Sequence, residues 1–510
     1  MTLLPLLPLE HRTVPDLLEH SRAFGDDRPF FTDAATNSTI TYGEALKLIA
    51  GCAQKLSSRF KSGSTVATIL SNRPEALILR MALSCAGLTE AAINGEHRGT
   101  VLKGMLEIAA PVAIFVEEKF RTAVDESGYP LGEVQCIGES ELIKLCQFAV
   151  PWEERPKIEV RPSDPCRIIF TSGTSGISKG AELSHAYEVF TGLCYAQRVG
   201  LKPTDRWYFV TPYFHIDGIL SVAAVLHGGG VFIMARRFSA SRYWEEAIAT
   251  GATVIIYVGS ILAILKKRGD PTTGHSVRIA VGVGGTPGLR NWLEDEHGIP
   301  MLEIYGLTEC AAAAIDDHSN RRSGSCGRPL KGYEIAILDE LDRPLAPGKR
   351  GQIAIRPTEP LALFSGYRSH PKASLSVFGN LWFHTGDRGS VDKDGYIFYH
   401  GRMKDVIRHR DENVSAEELE AIVDTHPSVL ISAAVGVASE LGDEDILLYV
   451  QPKAEVKFDP SALCSYLAQK VAPFMMPTFI QVIGTMPLTP TEKVAKTLLA
   501  RTVDTSAWKR

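Results

Sequence analysis

The sequence predicts an α/β protein with a large N-terminal domain of parallel sheets, a small β-barrel-like subdomain and a small α+β C-terminal domain. In the first 300 residues, short apolar, β-rich runs alternate with longer segments of helical periodicity, which is the pattern of strands joined by crossover helices. The runs lie at residues 66–70, 112–116, 166–170, 253–258 and 277–284. Since the chain has 510 residues, more than one domain is expected.

The pattern changes after about residue 330. The runs EIAIL (334–338) and QIAIR (352–356) are short strands joined by a segment rich in turn-forming residues. A DKDG turn at 392–395 leads into another β-rich run, YIFY. These features predict the small antiparallel subdomain.

The last part of the chain has the signals of a separate α+β domain. Residues 415–418 form a capping-box pattern, Ser-Ala-Glu-Glu, which predicts that a helix starts there after the strand-like run 406–410. A second helix is expected to begin at Asp459–Pro460 and to stop near Pro473. A compact C-terminal domain of about 105 residues is therefore plausible.

Composition and charge exclude some classes of function. The chain has 54 Lys and Arg against 59 Asp and Glu, so its net charge of −5 offers no basic surface to a nucleic acid. Nine scattered cysteines with no CxxC spacing predict neither a zinc site nor a disulfide framework. The most apolar region, 218–235, is broken by His227 and by glycines, and the first residues lack the pattern of a signal peptide. We therefore expect a cytoplasmic protein without a membrane span.

A glycine-rich loop follows the third of the apolar runs. The segment FTSGTSGISKGAELSH (170–185) combines glycines and hydroxyl side chains with one lysine, Lys179. Exposed backbone N–H groups and hydroxyls form a cradle for an anion, although many such loops are only connections. Lys179 lies between Ser178 and Gly180, so the segment is not a Walker A loop.

Eight motifs in a fixed order resemble the adenylate-forming (ANL) superfamily, of the acyl-CoA synthetase type, over nearly the whole chain. They are TSGTSGISKG (171–180), YFHIDG (213–218), GGTP (284–287), YGLTE (305–309), HTGD (384–387), GRMKD (401–405), ENVS (412–415) and PTEKVAK (490–496). The resemblance implies that a carboxylic acid reacts with ATP to give an acyl-adenylate, whose acyl group is then transferred to a thiol. It also implies an N-terminal domain of residues 1–404 and a mobile C-terminal domain of residues 405–510, with the hinge near Asp405.

The resemblance further implies the residues of the ATP site. The phosphates would be held by Thr171, Ser172, Gly173, Thr174 and Lys179. Glu309 would bind Mg²⁺, because hard oxygen donors suit that ion. The remaining cofactor-binding positions of this region would be Gly285, Thr286, Pro287, Tyr305, Gly306 and Thr308. Asp387 would accept the ribose hydroxyls and Arg402 would contact ribose or phosphate, whereas alone they could equally be a turn aspartate and a surface ion-pair arginine.

The C-terminal motifs carry the expected catalytic lysine and part of the coenzyme A site. Lys493 resembles the lysine that bridges the attacking carboxylate and the α-phosphate, and Lys496 is a nearby competitor for that role. Asp411 and Asn413 would lie beside the CoA tunnel. The chain departs from the family at Ser178, Asp411 and Glu492, where proline, glycine and glycine are usual. Glu492 could partly neutralise Lys493.

The acyl pocket is predicted from three further segments. His215 takes the position at which amino-acid-activating members have an aspartate, so amino acids are disfavoured as substrates, because a buried ammonium group would lack a counter-charge. His215 resembles the pocket-gating histidine of acyl- and aryl-CoA ligases, although a core or loop histidine is the alternative. The lining would comprise Val258, Gly259, Gly284, Ala311 and Ala312. These small side chains favour a bulky or extended apolar acid, although the alanine run could equally be a packed helix.

Other functions remain open at this stage. Weak adenylation, with thioester formation from a preformed acyl-AMP, is one alternative, because of Asp411 and Glu492. Loading of a carrier protein instead of CoA is another, and a non-catalytic ligand sensor is a third. The acid, the oligomeric state and the pathway are not determined by the sequence, although the motif style is that of medium-chain, carnitine-type and secondary-metabolism ligases.

Overall fold

The computed structural model describes residues 3–171, 179–269, 273–403, 406–409, 412–439, 444–454, 456–471, 473–489 and 493–510. The chain forms two compact units. Unit 1 comprises Met1–Glu334 with Ile355–Phe383, and unit 2 comprises Ile335–Ala354 with His384–Arg510. The hinge predicted at Asp405 lies outside the described residues, and the boundary between residues 404 and 405 stays a prediction.

The first sheet of unit 1 has seven strands among the described residues and contains the glycine-rich segment. In spatial order these are β18 (Gly366–Tyr367), β8 (Lys179–Ser184), β7 (Pro165–Thr171), β4 (Thr89–Ala92), β3 (Thr65–Ile69), β5 (Ala113–Val116) and β6 (Gln135–Ile137). The pairs among β3, β4, β5, β6 and β7 are parallel, as the alternating pattern predicted. The pairs β7–β8 and β8–β18 are antiparallel.

The second sheet of unit 1 has nine strands in the described part of the chain. Their order is β15 (Arg328–Pro329), β14 (Ala311–Ile315), β13 (Met301–Leu307), β12 (Ile279–Val283), β11 (Val254–Val258), β9 (Arg206–Phe209), β10 (Val231–Met234), β1 (Pro29–Asp33) and β2 (Ser38–Thr41). The pairs from β1 through β10, β9, β11 and β12 to β13 are parallel. Parallel strands direct their carboxyl ends to one edge, where ligands of α/β proteins bind.

Helices cover both sheets. The helices of unit 1 are α1 (Val14–Ser21), α2 (Tyr42–Arg59), α3 (Pro74–Cys85), α4 (Gly99–Ala109), α5 (Glu118–Asp125), α6 (Glu139–Gln147), α7 (His185–Val199), α8 (Ile216–Gly228), α9 (Tyr243–Ala249), α10 (Gly259–Arg268), α11 (Pro287–Asn291) and α12 (Pro371–Ser376). Helix α7 contacts β8 of the first sheet and β14 of the second, and it packs along α8. Both α7 and α8 are buried over most of their length, so they form the core between the sheets.

A third sheet contains the strands predicted after residue 330. It has the order β16 (Tyr333–Leu338), β17 (Gly351–Pro357), β20 (Trp382–Val391) and β19 (Phe378–Gly379), and β21 (Ile397–Arg402) pairs with β20. The predicted DKDG turn joins β20 to β21, with the backbone N–H groups of Asp394 and Tyr396 donating to the Asp392 carboxylate.

The C-terminal part of unit 2 is an α+β structure. Its hairpin consists of β22 (Val406–His409) and β23 (Glu412–Ser415), and its four-stranded sheet has the order β24 (Val429–Ala438), β25 (Glu444–Pro452), β26 (Phe479–Val482) and β27 (Trp508–Lys509). Helices α13 (Ala416–Val423) and α14 (Pro460–Leu467) pack together with one face of this sheet. Asp459 caps α14 as predicted, but the helix ends at Leu467, because a turn of tighter hydrogen bonds begins well before Pro473.

Across the described part of the chain, no helix is both long enough and apolar enough to cross a membrane. All nine cysteines lie in the described ranges, and none of them forms a disulfide bond.

Candidate active site

The two ends of the glycine-rich loop lie side by side. Strand β7 ends at Thr171 and β8 begins at Lys179, and these two residues are direct partners in the antiparallel pairing. The Thr171 hydroxyl donates to the Lys179 carbonyl at 3.5 Å. The other predicted phosphate-binding residues, Ser172, Gly173 and Thr174, lie outside the described residues.

One tyrosine, Tyr367, contacts both Glu309 and Lys179. The Glu309 residue is only 6% exposed, and its Oε1 atom accepts a hydrogen bond of 2.6 Å from the Tyr367 hydroxyl. The Lys179 ammonium lies 5.1 Å from the centre of the Tyr367 ring. The neighbouring Thr308 carbonyl accepts a hydrogen bond of 2.8 Å from Tyr187. The predicted phosphate-binding lysine and the predicted metal ligand therefore share one contact residue.

The donor set at Glu309 fits a magnesium ion that is bound mainly through substrate. Among the described residues, no group of three or more His, Cys, Asp or Glu side chains could hold a metal ion. Magnesium in nucleotide sites is usually bound by one or two carboxylates together with phosphate oxygens and water. A single buried carboxylate with one oxygen engaged by Tyr367 matches that pattern.

The predicted adenine wall is organised around a carboxylate that the sequence analysis missed. Glu303 lies on β13 and accepts hydrogen bonds from the backbone N–H groups of Gly284 and Gly285. Its Oε2 atom also accepts a hydrogen bond of 2.6 Å from the Tyr257 hydroxyl. Burial raises the pKa of Glu303 to about 7, against the opposing effect of these hydrogen bonds. The sequence did contain a signal for Glu303. It lies two residues before Tyr305, so the two side chains are on the same face of the strand.

The residues next to these glycines have defined local roles. Thr286 is the N-cap of α11, with its hydroxyl accepting from the Leu289 N–H, and Pro287 occupies the first turn of that helix. Tyr305 is 4% exposed and lies on β13 beside the YGLTE turn. The GGTP segment is therefore the connection from β12 to α11, as its position after a β-rich run predicted.

The acyl-pocket candidates lie at the ends of neighbouring strands. Val258 ends β11 and Gly259 starts α10. A Cβ atom on Gly259 would overlap the Gly284 carbonyl, and one on Gly306 would overlap the Ala311 carbonyl, so both positions require glycine. The alanine run forms the buried strand β14, and the alternative of a packed helix is wrong, because Ala311–Ile315 pairs with β13.

His215 begins the helix that enters the core. It is the N-cap residue of α8, is half-buried, and its ring lies 4.5 Å from the Phe214 ring between centres. The preceding Tyr213 is buried and lies against the Arg80 guanidinium, which is 3.8 Å from its ring centre. This arrangement fixes the backbone on which His215 stands.

In unit 2, the two residues predicted to contact ribose or phosphate meet each other. Asp387 and Arg402 are cross-strand partners on β20 and β21, and their side chains form an ion pair of 3.0 Å. Asp387 is 2% exposed, whereas 39% of the Arg402 side chain is exposed. Taken alone, Arg402 could have been an arginine in a surface ion pair. It does form an ion pair, and its partner is Asp387, the other predicted site residue.

The two candidate lysines of unit 2 have different surroundings. The Lys493 side chain is exposed, and its residue closes a short hairpin in which the Thr489 N–H donates to the Lys493 carbonyl at 2.6 Å. Lys496 instead forms an ion pair of 2.7 Å with the half-buried Glu420. Lys496 is thus engaged in the packing of unit 2, which favours Lys493 as the lysine that acts on substrate.

The remaining predicted positions of unit 2 give less information. Asn413 lies on β23 opposite Arg408. Asp411 and Glu492, at which the chain departs from the family pattern, lie outside the described residues, as does Ser178. The effect of these departures on adenylation stays a prediction.

Comparisons with known proteins identify the family. The profile of AMP-binding enzymes matches residues 17–368, and that of the AMP-binding enzyme C-terminal domain matches residues 418–493. The chain therefore belongs to the AMP-binding enzyme family. A sulfoacetate–CoA ligase of Cupriavidus necator is 28% identical over 95% of this chain and 96% of its own. A crotonobetaine/carnitine–CoA ligase of Salmonella paratyphi C is 26% identical over 86% and 88%.

Solved structures have the same fold. The ATP-bound MatB from Rhodopseudomonas palustris has a TM-score of 0.86 at 24% identity, covering 95% of this chain and 98% of that one. The o-succinylbenzoate-CoA synthetase MenE from Bacillus subtilis, in complex with AMP, has a TM-score of 0.83 at 23% identity, covering 95% and 97%. The fold predicted from the sequence is confirmed, and so is the adenylate-forming superfamily.

With the family, the predicted enzyme class is confirmed: the protein is an AMP-forming acid–thiol ligase. ATP or AMP and coenzyme A are the cofactors implied for this class. Unit 2 contains Asp387, Arg402, Asn413 and Lys493, and the other described candidates lie in unit 1.

Proposed function

We propose that the protein converts a bulky or extended apolar carboxylic acid into its coenzyme A thioester. The acid carboxylate attacks the α-phosphorus of ATP, and pyrophosphate leaves. The CoA sulfur, after losing its proton, then attacks the acyl carbon of the acyl-adenylate, and AMP leaves. The first step gives the acyl carbon a good leaving group, AMP, and the second step uses it, so the protein mainly has to position anions and neutralise their charge.

The roles follow the contacts of the candidate site. Thr171 and Lys179 bind the terminal phosphates of ATP at the end of the glycine-rich loop. Glu309 holds Mg²⁺, which when bound neutralises phosphate charge. Lys493 contacts the attacking carboxylate and the α-phosphate during adenylation, and the C-terminal domain alternates between the two half-reactions about its hinge near Asp405.

The preference for an apolar acid is supported by one observation, namely the uncharged and small lining expected for the acyl group. Val258 is buried at the end of β11, and Ala311 and Ala312 are buried on β14. An acid with a second charge, such as sulfoacetate or carnitine, would need an opposite charge in the pocket to offset its desolvation. The proposed lining positions Val258, Gly259, Gly284, Ala311 and Ala312 all have uncharged side chains.

A panel of acids tests the proposal. The enzyme is incubated with ATP, Mg²⁺ and CoA and with acetate, sulfoacetate, carnitine, hexanoate, decanoate and cinnamate, while pyrophosphate and acyl-CoA are measured separately. We expect kcat/KM for hexanoate, decanoate or cinnamate to exceed that for sulfoacetate at least 100-fold, since an uncompensated buried charge costs several kcal/mol. A preference for sulfoacetate or carnitine would reject the apolar acid.

The same assay with Lys493→Ala separates the alternatives. We expect pyrophosphate release to fall about 100-fold or more, because a charge that stabilises the transition state is removed. Thioester formation from synthetic acyl-AMP should persist. A wild-type enzyme that uses only synthetic acyl-AMP would favour the alternative of weak adenylation, and one that turns over neither substrate would favour a ligand sensor.

A further inference from the structure

One short segment, residues 364–368, connects the glycine-rich loop to Glu309. The N–H of Phe364 donates to the Glu309 carbonyl at 2.8 Å. Strand β18, within this segment, pairs with β8, the strand that begins at Lys179. The N–H of Arg368 donates to the Gly180 carbonyl at 2.8 Å. The segment is therefore attached to both parts of the predicted nucleotide site by backbone hydrogen bonds.

Tyr367 adds side-chain contacts in the same two directions. Its hydroxyl donates to Glu309 Oε1 at 2.6 Å, and its ring faces the Lys179 ammonium at 5.1 Å. The residue is 8% exposed, its ring packs at 4.9 Å against that of Phe364, and its backbone N–H donates to the Ser374 hydroxyl at 2.8 Å. Tyr367 is thus fixed in position by its own neighbours.

These contacts restrict how Glu309 can bind a cation. An ionised carboxylate has two acceptor oxygens, and the hydroxyl of Tyr367 occupies Oε1. The hydrogen bond restricts the rotation of the carboxylate, so the other oxygen, Oε2, would be the one to bind a metal ion. Hydrogen bonds of this kind to carboxylate ligands raise metal affinity, and their loss usually costs about 10- to 100-fold.

We infer that Tyr367 is a positioning residue of the metal–nucleotide site, whose hydroxyl orients Glu309 for Mg²⁺ while its ring holds Lys179 against the phosphates. This inference rests on the proposed function, because it takes Glu309 as the metal ligand. It assigns separate roles to the two parts of one side chain. The hydroxyl acts on the metal, and the aromatic face acts on the lysine through a cation–π contact.

Tyr367→Phe tests the role of the hydroxyl, because it keeps the ring. ATP binding to the full chain is measured by isothermal titration calorimetry, once with excess Mg²⁺ and once with EDTA. We expect affinity for ATP to fall about tenfold in Mg²⁺ and to stay within about twofold of wild type in EDTA. A merely structural role would lower both affinities equally, and that result would overturn the inference.

Tyr187→Phe is the matched control. It removes a tyrosine hydroxyl of similar burial that donates at 2.8 Å to the Thr308 carbonyl, next to Glu309 but not to its carboxylate. Its affinities in Mg²⁺ and in EDTA should keep the wild-type ratio. If Tyr187→Phe changed this ratio as much as Tyr367→Phe, the carboxylate contact would not be the cause, and the inference would be rejected.

Tyr367→Leu tests the role of the ring. It should weaken ATP binding in EDTA as well, by about threefold or more, because the contact with Lys179 is lost. Unchanged binding in EDTA would reject the role of the ring. If the wild-type enzyme released no pyrophosphate with any acid, the proposed function would fail, but the binding ratios would still decide the role of Tyr367.

Discussion

Unit 1 and unit 2 stabilise buried charges in different ways. In unit 1, two arginines and two glutamates form a buried cluster of zero net charge: Arg80 lies 2.7 Å from Glu90, and Arg167 lies 3.3 Å from Glu188. Burial alone would raise the pKa of Glu90, but the guanidinium groups of Arg80 and Arg167 outweigh it and hold the pKa below its usual value. Arg80, Arg167 and Glu90 therefore stay charged at any pH near neutral.

In unit 2, two carboxylates outside the fully buried core are less completely compensated. Desolvation raises the pKa of the half-buried Glu420 to about 7 although Lys496 lies 2.7 Å away. Desolvation of the Asp424 carboxyl beside Ser432 also raises its pKa to about 7, although the residue as a whole is exposed, and hydrogen bonds from Ser432 offset this only in part. The Arg–Glu cluster of unit 1 is thus compensated by opposite charges, whereas unit 2, which contains Lys493, has two carboxylates with pKa values near neutrality.

Disrupting the buried Arg–Glu cluster of unit 1 should have the largest effect on stability. Arg167→Met leaves Glu90 and Glu188 with too little positive charge in a buried site, so we expect the free energy of unfolding to fall by about 3–5 kcal/mol. Urea unfolding followed by tryptophan fluorescence measures it, because five of the six tryptophans lie in unit 1.

An exposed ion pair of the same unit is the control for this variant. Arg59 lies 2.6 Å from Glu141, with both side chains substantially exposed. Arg59→Met should cost less than about 1 kcal/mol. If Arg167→Met and Arg59→Met lowered the free energy of unfolding by similar amounts, burial would not determine how much these ion pairs contribute to stability.

The second prediction concerns the pH dependence of unit 2. Asp424 has a raised pKa in the folded state and an ordinary one near 3.8 when unfolded, so between these values the folded state binds the extra proton. The stability of unit 2 should therefore fall as pH rises from about 5 to 7, and because Asp424 is exposed and solvent screens its charge, its share is about 1 kcal/mol at most. Urea unfolding at several pH values, followed by pulsed hydrogen exchange at one fixed pH, measures unit 2 alone.

Asp424→Asn should flatten this pH dependence. Asp504→Asn serves as the control, because hydrogen bonds from Ser506 lower the pKa of this exposed carboxyl, which is ionised throughout the range in both states. If the stability of unit 2 in the wild-type protein rose between pH 5 and 7, the difference in pH dependence between the two units would be contradicted.

The third prediction concerns Glu303, which is an exception within unit 1. It is a carboxylate of unit 1 whose pKa burial raises to about 7, so it resembles those of unit 2. In Glu303→Gln, the amide NH₂ group faces a donor from Tyr257, Gly284 or Gly285, so one hydrogen bond is lost. This loss of about 1 kcal/mol should raise KM for ATP about fivefold.

Glu246→Gln is the matched control for Glu303→Gln. Glu246 accepts a hydrogen bond of 2.8 Å from the Tyr208 hydroxyl, as Glu303 does from Tyr257, but it lies on α9. Steady-state kinetics at pH 7.5 should show an unchanged KM for ATP in this variant. An equal change in both variants would mean that the glycine contacts of Glu303 do not shape the nucleotide site.

The parts of the site that the sequence predicted are those in which neighbouring residues carry the signal. The glycine-rich loop and the YGLTE turn follow β-rich runs, and the edge of a parallel sheet then determines where they lie. Asp387 and Arg402 were each predicted from a motif, and the register of β20 and β21 explains why they meet.

Long-range contacts could not be predicted in this way. Tyr367 reaches Glu309 from 58 residues away, and Tyr257 reaches Glu303 from 46 residues away. In both cases a tyrosine on one strand meets a glutamate of another segment, and only the pairing of the strands determines the partner. No spacing within a single segment indicates such a contact.

The crowding at Gly259 and Gly306 limits how this enzyme could acquire a new substrate. A side chain at either position would collide with a backbone carbonyl, and Ala311 already has a positive φ of 52°. A saturation library covering the pocket would therefore return few folded clones altered at these sites. Adaptation to another acid must proceed through neighbours such as Val258 and Ala312, where a larger side chain shortens the space without moving the strands.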